Sequence, residues 1–419
     1  MGIIKDLDLL NFNNNNNLLE NQNYKLNIFS TDKNGREVNL YKLIDVQFTG
    51  DDLFYPNILA YSNYDNSLYK VIREKIMSLE KVNLLSNNIE IQNTESTYNE
   101  PVFFFIYNFD NYYHFIYDTL PYLISFNYIK KEIPNIKLLI NYPTNQNLKL
   151  YQFVNEFLEL CGITADDLIY VSNEIKYKNV YISSSYTHDL DSNLPPRLEI
   201  YDFYKEITYK CIDKFNNKTP KKIYISRRTY LHNNFDNIGT NYTTRRTLIN
   251  ETELVNFLQL KGYVEVFTEN LSTIDKLNLF YNAESIIGSI GGGLCNVLFS
   301  KPNTELLCIV SPTFLDVNNR FLYSLNQVKL RLFDDSFHSE SSDFKKYMRV
   351  QSISTGIVGE ISDIIDDNIE VKFSKNAVSG WNDQNIYDKI TLKPSDCIKL
   401  DGGLNSNWCI DLESFKVFM

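Results

Sequence analysis

The sequence predicts an α/β protein, two Rossmann-like halves followed by a small β-rich C-terminal appendage. Three observations carry that expectation. Short apolar runs alternate with helical stretches between residues 102 and 182 and again between 222 and 310, the rhythm of parallel strands joined by helices. A glycine-rich turn, Gly288 to Gly293, stands directly between an apolar run and the next hydrophobic segment. Beyond about residue 345 the pattern changes to short alternating runs such as Ile369–Phe373 and Cys397–Leu400. A chain of 419 residues, 43% hydrophobic, is too long for one core and rich enough for two.

The elements follow in order. Residues 1–95 read as an arm with accessory strands and a helix near 66–80; the Asn13–Asn17 run in it is compositional drift in an Asn-rich chain. Residues 96–196 form the first α/β domain. Its strands are Val102–Tyr107, Ile136–Ile140, Leu168–Val171 and Val180–Ser183, with helices over 111–130 and over 147–160, the latter closed by Gly162. Two prolines near 195 mark a break, and a helix over 197–215 opens the second domain, 197–335. There Lys222–Ser226, Tyr263–Phe267, Ser285–Ile287 and Glu305–Val310 read as strands. Helix 251–261 starts at Asn250, with Glu253 completing a variant capping box, and stops at Gly262; Ser272 caps the next helix. Residues 345–419 form the appendage, whose Trp381 and Trp408 read as core rather than as sugar platforms.

Composition excludes several classes. A net charge of −11 argues against nucleic acid or an anionic membrane as the main partner. No apolar run reaches the length of about 18 residues that a membrane span needs, and Met1–Leu19 lacks a signal-peptide core, so the expected location is cytoplasmic. Six cysteines without metal spacing read as thiols in a reducing compartment, with Cys397 and Cys409 the pair able to join.

The chemistry concentrates in few places. Glycines let main chain approach a ligand, and the N–H groups at a helix start favour an anion, so Gly291, Gly292 and Gly293 read as a phosphate cradle. Arg227, with Arg228 beside it, ends a strand earlier in the chain, where a guanidinium can neutralise a diphosphate; the plain alternative is a solvated basic turn. Together these features point to a phosphate-bearing donor such as a nucleotide sugar. His114 and Asp118, four apart in an expected helix, share a face. A carboxylate beside an imidazole orients it, and either group could take the proton of an acceptor hydroxyl; a structural hydrogen-bonded pair is the rival reading. Asn111 is placed to cap that helix. Arg245 and Arg246 are further donor-site cations, one of them able to pair with Glu251. Glu269 could accept hydrogen bonds from sugar hydroxyls or cap the next helix, and Asn296 could bind phosphate or hold the loop. Asp189-Leu190-Asp191 matches the Asp-x-Asp of metal-dependent transferases, a weak signal among 52 acidic residues; with Arg227 and a helix start carrying the leaving charge, no metal or cofactor is expected.

Five motifs in sequence order resemble those of one family: Asn111 to Pro121, Ile225-Ser226-Arg227, Arg245 to Glu251, Glu269 to Ser272, and Gly288 to Asn296 with Leu298-Phe299 and Pro302. The family is glycosyltransferase family 61, a capsular-polysaccharide biosynthesis type domain, and the resemblance covers roughly residues 100–312. It implies a GT-B-like fold of two domains and inverting transfer of sugars such as GlcNAc or xylose from a nucleotide donor to a glycan or glycoprotein hydroxyl. Three departures stand out: Ile290 where the family often has His, Gly292 for Ala, and Lys276 where Gln is common. The missing His makes a nucleotide-sugar- or glycan-binding protein without transferase activity the alternative; a structural surface protein is a further rival.

Overall fold

The structure is a computed structural model of the 419-residue chain. It describes residues 26–27, 38–50, 53, 58–64, 66–71, 76–78, 94–107, 109–143, 149–187, 196–216, 218–228, 247–311, 319–325, 327–338, 344, 349–374, 387–400 and 408–419. The fold is mixed α/β, with both parallel and antiparallel sheets.

Among the described residues the first sheet has ten strands, and its central path is split by direction. Ile76–Ser78, Ser67–Val71, Leu59–Ser62, Asn39–Thr49 and Lys176–Ser183 pair antiparallel in that order. Val102–Phe104, Lys137–Ile140 and Leu168–Tyr170 then continue parallel from Lys176–Ser183. The helix expected near 66–80 is therefore a pair of strands. The turn before Ser67 explains it: Asn66 takes a φ of 54° and accepts a hydrogen bond from the Tyr61 hydroxyl, reversing the chain into a hairpin. The two halves differ in their sheets: the first joins a parallel part to an antiparallel one, and only the second is parallel throughout.

That second sheet runs Val264–Val266, Lys222–Ile225, Ser285–Ser289, Glu305–Ile309 and Lys329–Phe333. The chain steps outward from Lys222–Ile225 to Val264–Val266, then returns to the far side with Ser285–Ser289. Loops leaving the two central strands diverge, and in open α/β sheets this reversal makes the ligand crevice beyond the carboxyl ends. The first sheet reverses in the same way between Val102–Phe104 and Lys176–Ser183.

Helix stops follow the glycines. Gly162 and Gly262 take φ values of +79° and +83°, just past helices Gln152–Leu160 and Glu251–Leu260. Ser272 caps Thr273–Asn282 by accepting from Asp275 N–H, as its position suggested. Asn250 sits at its expected cap position, but its side chain is engaged elsewhere: its amide donates to Ile410 O and its carbonyl accepts from Ile410 N–H. The capping box expected there does not form.

Those bonds belong to the C-terminal fold-back. Residues 349–400 supply a separate five-stranded antiparallel sheet. The last segment then returns: Trp408–Ile410 pairs with Ser336–His338, and helix Leu412–Phe418, which the sequence reading missed, seats Phe415 against Phe333. Trp408 is fully buried beside Leu248, a core residue as expected; Trp381 lies outside the described residues. All six cysteines are free thiols, so Cys397 and Cys409 do not pair. Among the described residues no helix is long and apolar enough to cross a membrane.

One hydrophobic core runs from the first sheet into the second. Phe157 of helix Gln152–Leu160 stacks on Phe299 at 5.6 Å, and Tyr113 packs on Phe321 at 4.8 Å. Each such pair contributes about 0.5–1.5 kcal/mol beyond its area. Glu156 reaches across to accept from Thr273 N–H at 3.0 Å. The two carboxyl edges are thereby held against one another.

Candidate functional site

The second sheet's reversal point is built from its main chain outward. Strand Ser285–Ser289 runs two residues further than the apolar pattern indicated. The following segment, Gly292–Phe299, is a 3₁₀ helix that begins at the glycines themselves. Gly291 has a φ of 165°, extended backbone that any residue adopts. Its need for glycine is steric. A Cβ there would lie 2.3 Å from Arg227 Nη1, and one at Gly293 would meet Ile225 and Thr268 at 3.0 Å. Gly292 is the open member: a Cβ there would meet its nearest atom, Tyr113 Cβ, at 3.7 Å, and the residue is half-buried. The turn is not sealed in the core.

Arg227 is brought to that turn by Glu251. The buried Glu251 accepts through one oxygen from Arg227 N–H at 2.7 Å, Tyr224 hydroxyl at 2.8 Å and Ser226 hydroxyl at 3.3 Å. Burial pushes the Glu251 carboxyl above its ordinary range, and these donors pull it back. Burial also lowers Arg227, opposed by the charges of Glu251, Tyr224 and Glu269; a guanidinium keeps its proton through such a shift. The pairing expected of Glu251 with Arg245 or Arg246 cannot be placed, since both arginines lie outside the described residues, as do Asp189 and Asp191. Arg228 turns away and makes a two-point ion pair with Glu265, at 2.6 and 2.9 Å. Glu269 lies half-buried in the short helix Thr268–Asn270, in the electrostatic reach of Arg227 and of Lys276.

Asn296 is fully buried and engaged with protein. Its amide donates to Gly293 O at 2.9 Å, and its carbonyl oxygen accepts from the Tyr112 hydroxyl at 2.5 Å. Of its two expected roles, the geometry displays the loop-holding one.

Facing the glycines is the chain beyond Val102–Phe104. The single helix expected over 111–130 is two. A π-helical stretch, His114–Thr119, precedes the α-helix Tyr122–Glu132. Pro121 has no N–H to continue the first, and Leu120 N–H reaches five residues back to Phe115 O at 2.8 Å. Asn111 caps the stretch by accepting from His114 N–H at 3.1 Å. His114 Nδ1–H donates to Asp118 at 2.6 Å. The Asp118 side chain is 2% exposed and that of His114 19%, so the ring is the member that reaches outward. Asp118 acts electrostatically on Cys295, in the glycine helix. The structure thus gathers His114, Asp118, Arg227, Glu269, Gly291–Gly293 and Asn296 about one junction.

Residues 112–307 match the sequence model of the family described as Glycosyltransferase 61. This segment is a glycosyltransferase family 61 domain. Every candidate residue from His114 to Asn296 falls inside it, and the antiparallel sheet of 349–400 falls outside. The match supports a glycosyltransferase, an enzyme that takes a sugar donor and an acceptor. No curated protein matches the chain.

The sequence reading overlooks three residues of this candidate site. Tyr112 hides in a run of aromatics. Glu251 reads there only as an arginine partner. Lys276 is visible only as a departure from the family's usual Gln. It is buried, and its ammonium lies 4.5 Å from the Tyr112 ring centre. Among the described residues no group of three or more His, Cys, Asp or Glu is gathered as a metal site would require.

Proposed function

We propose that the protein is an inverting glycosyltransferase that moves a sugar from a nucleotide-sugar donor to a hydroxyl of a glycan or glycoprotein, on a GT-B-like pair of Rossmann-like domains. The observation that carries this reading is the seat of Arg227. Its guanidinium lies on Gly291 at the carboxyl ends of the two strands that flank the sheet reversal, and the His114–Asp118 segment stands opposite.

In this reading the acceptor oxygen attacks the anomeric carbon. The bond from that carbon to the diphosphate breaks, and its electron pair leaves with the diphosphate. The hydroxyl proton passes to His114 Nε2, while Asp118, holding Nδ1–H, orients the ring and stabilises the imidazolium that forms. Arg227 and the amides of Gly291–Gly293 receive the leaving group's charge, with Arg245 as a further cation. Glu269 accepts from donor hydroxyls, and Asn296 keeps the turn in place. A guanidinium and main-chain dipoles suffice for that charge, so no divalent metal is required. The six free thiols support a reducing, cytoplasmic setting.

A second reading has its own observation. Ile290, at the position where the family often has His, is 2% exposed and packs into the core. A protein that binds the donor without transferring would keep the cradle and lack that contact.

A panel of nucleotide sugars tests both. A ligand at 100 times its Kd stabilises the fold by about 2.7 kcal/mol, a clear thermal shift. Nucleotide release with acceptor, undiminished by EDTA, supports the transferase. A thermal shift without release selects the binding protein, loss of release with EDTA selects a metal-dependent route, and no shift with any donor ends both main readings.

A further inference from the structure

Lys276 is a buried ammonium that the proposed reaction does not use. Only 4% of the residue is exposed, and no carboxylate forms an ion pair with it among the described residues. A charge taken from water is costly unless it is repaid locally. Glu156 and Glu269 act on it without forming an ion pair, and its direct contact is an aromatic face: the ammonium stands 4.5 Å from the centre of the Tyr112 ring.

Tyr112 is the first residue of the segment that carries His114 and Asp118. Its hydroxyl donates to Asn296, whose amide donates to Gly293 O. Burial raises the Tyr112 pKa, which keeps the hydroxyl protonated and so a donor. A continuous chain of contacts therefore runs from helix Thr273–Asn282, through the His114 segment, to the glycine turn. The same helix is tied to the first half a second time, by Glu156 on Thr273 N–H.

We infer that Lys276 is a positioning residue: its ammonium pins the Tyr112 ring, and through Asn296 it fixes the His114 segment in register over Gly292 and Gly293. The consequence for transfer rests on the proposed function; the latch itself does not.

Among the described residues, the charged or titratable groups acting on Lys276 come from four elements. Glu156 comes from helix Gln152–Leu160, Glu269 from Thr268–Asn270, Cys295 from the glycine helix and Tyr112 from the His114 segment. Burial pushes Lys276 down to about 8, and Glu156, Cys295 and Glu269 oppose that shift. The ammonium is present below that pH and the latch engaged; above it the charge and the ring contact are lost.

Full-length Lys276→Met, Lys276→Arg and Tyr112→Phe decide the matter. Hydrogen exchange reads the latch without any activity. Lys276→Met should speed exchange at 111–118 and at 291–296 together, Tyr112→Phe should do the same, and the double variant should add little. In the transfer assay Lys276→Met should lower kcat about threefold to thirtyfold, the span expected for losing a desolvated cation–π contact, with donor Kd unchanged. Wild-type kcat should fall as pH rises through about 8, and Lys276→Arg should retain rate and abolish that fall. Exchange confined to helix Thr273–Asn282, or additive effects of the two substitutions, overturns the latch. A loss that falls on donor Kd alone makes Lys276 a donor contact instead and overturns it too. A wild type that transfers no sugar removes the proposed function and leaves the latch to be decided by exchange.

Discussion

At the carboxyl end of Ser285–Ser289 the molecule presents main chain: three glycines, with one guanidinium laid on the first of them. At the carboxyl end of Val102–Phe104 it presents side chains: a histidine held by a buried carboxylate on a π-helical turn. Both places are reversal points of a partly or wholly parallel sheet. On the proposed reading the same topology is fitted out for two jobs. A site for an anion needs many weak donors at fixed spacing, which backbone supplies once side chains are removed. A site for a proton needs one titratable group aimed by another, which only side chains supply. The two edges also respond differently to change, and that difference can be tested.

The proton edge should be the more fragile. His114→Ala is expected to lower kcat by about 10²–10⁴-fold with little effect on donor affinity, since in the proposed reaction it removes the general base. Asp118→Asn keeps the shape of the pair and loses the carboxylate that fixes the tautomer, so it should also lose rate with donor affinity intact. Loss of donor affinity in either variant would show the two edges to be one site and dissolve the contrast.

The anion edge should lose about 10²–10³-fold in kcat on Arg227→Ala. Its sharper test lies in the glycines. Gly291→Ala sets a methyl group 2.3 Å from Arg227 Nη1, so the guanidinium must leave its seat. Its activity loss should match that of Arg227→Ala, and the double variant should be no worse than either single one. Gly292→Ala meets its nearest atom at 3.7 Å and should leave thermal stability unchanged. Equal effects of the two alanines on Arg227-dependent turnover would mean the turn acts through flexibility and not through room for a guanidinium.

What could be read from residues alone divides along the same line. The glycine turn, the strand-end arginine and the His114–Asp118 pair were legible because each is local: a spacing of four, a run of glycines, a charge at the end of an apolar stretch. Asn111 capping His114 and Ser272 capping Thr273–Asn282 were legible for the same reason. Glu251 was half-legible. Its place at the start of a helix was clear, but its three donors come from residues 224–227, and only the parallel pairing of strands brings them near. The side chain of Asn250 was misread because its partner, Ile410, is 160 residues away. The strands at 67–78 were misread because hairpin pairing overrode the helical reading of their composition. The π-helical turn could not be foreseen at all: a single added residue per turn leaves no trace in spacing, and Pro121 announces only that some break must come.

The smallest effect falls between the two edges, on the buried Glu251 that fixes Arg227. Burial holds its carboxyl above the ordinary value, so in a window just above pH 4.5 the folded state binds more proton than the unfolded chain. A proton taken up on folding makes stability fall as pH rises through that window. Glu251→Gln retains an oxygen for Arg227 N–H, Tyr224 and Ser226 but cannot titrate. The variant should therefore keep the seat of Arg227 and flatten the stability–pH curve on the acidic side, measured by urea midpoints at a series of pH values. A slope that survives in Glu251→Gln would assign it to other carboxylates. A slope of opposite sign in the wild type would mean that the three donors outweigh burial and hold Glu251 ionised, making the base of the anion edge a fixed negative charge.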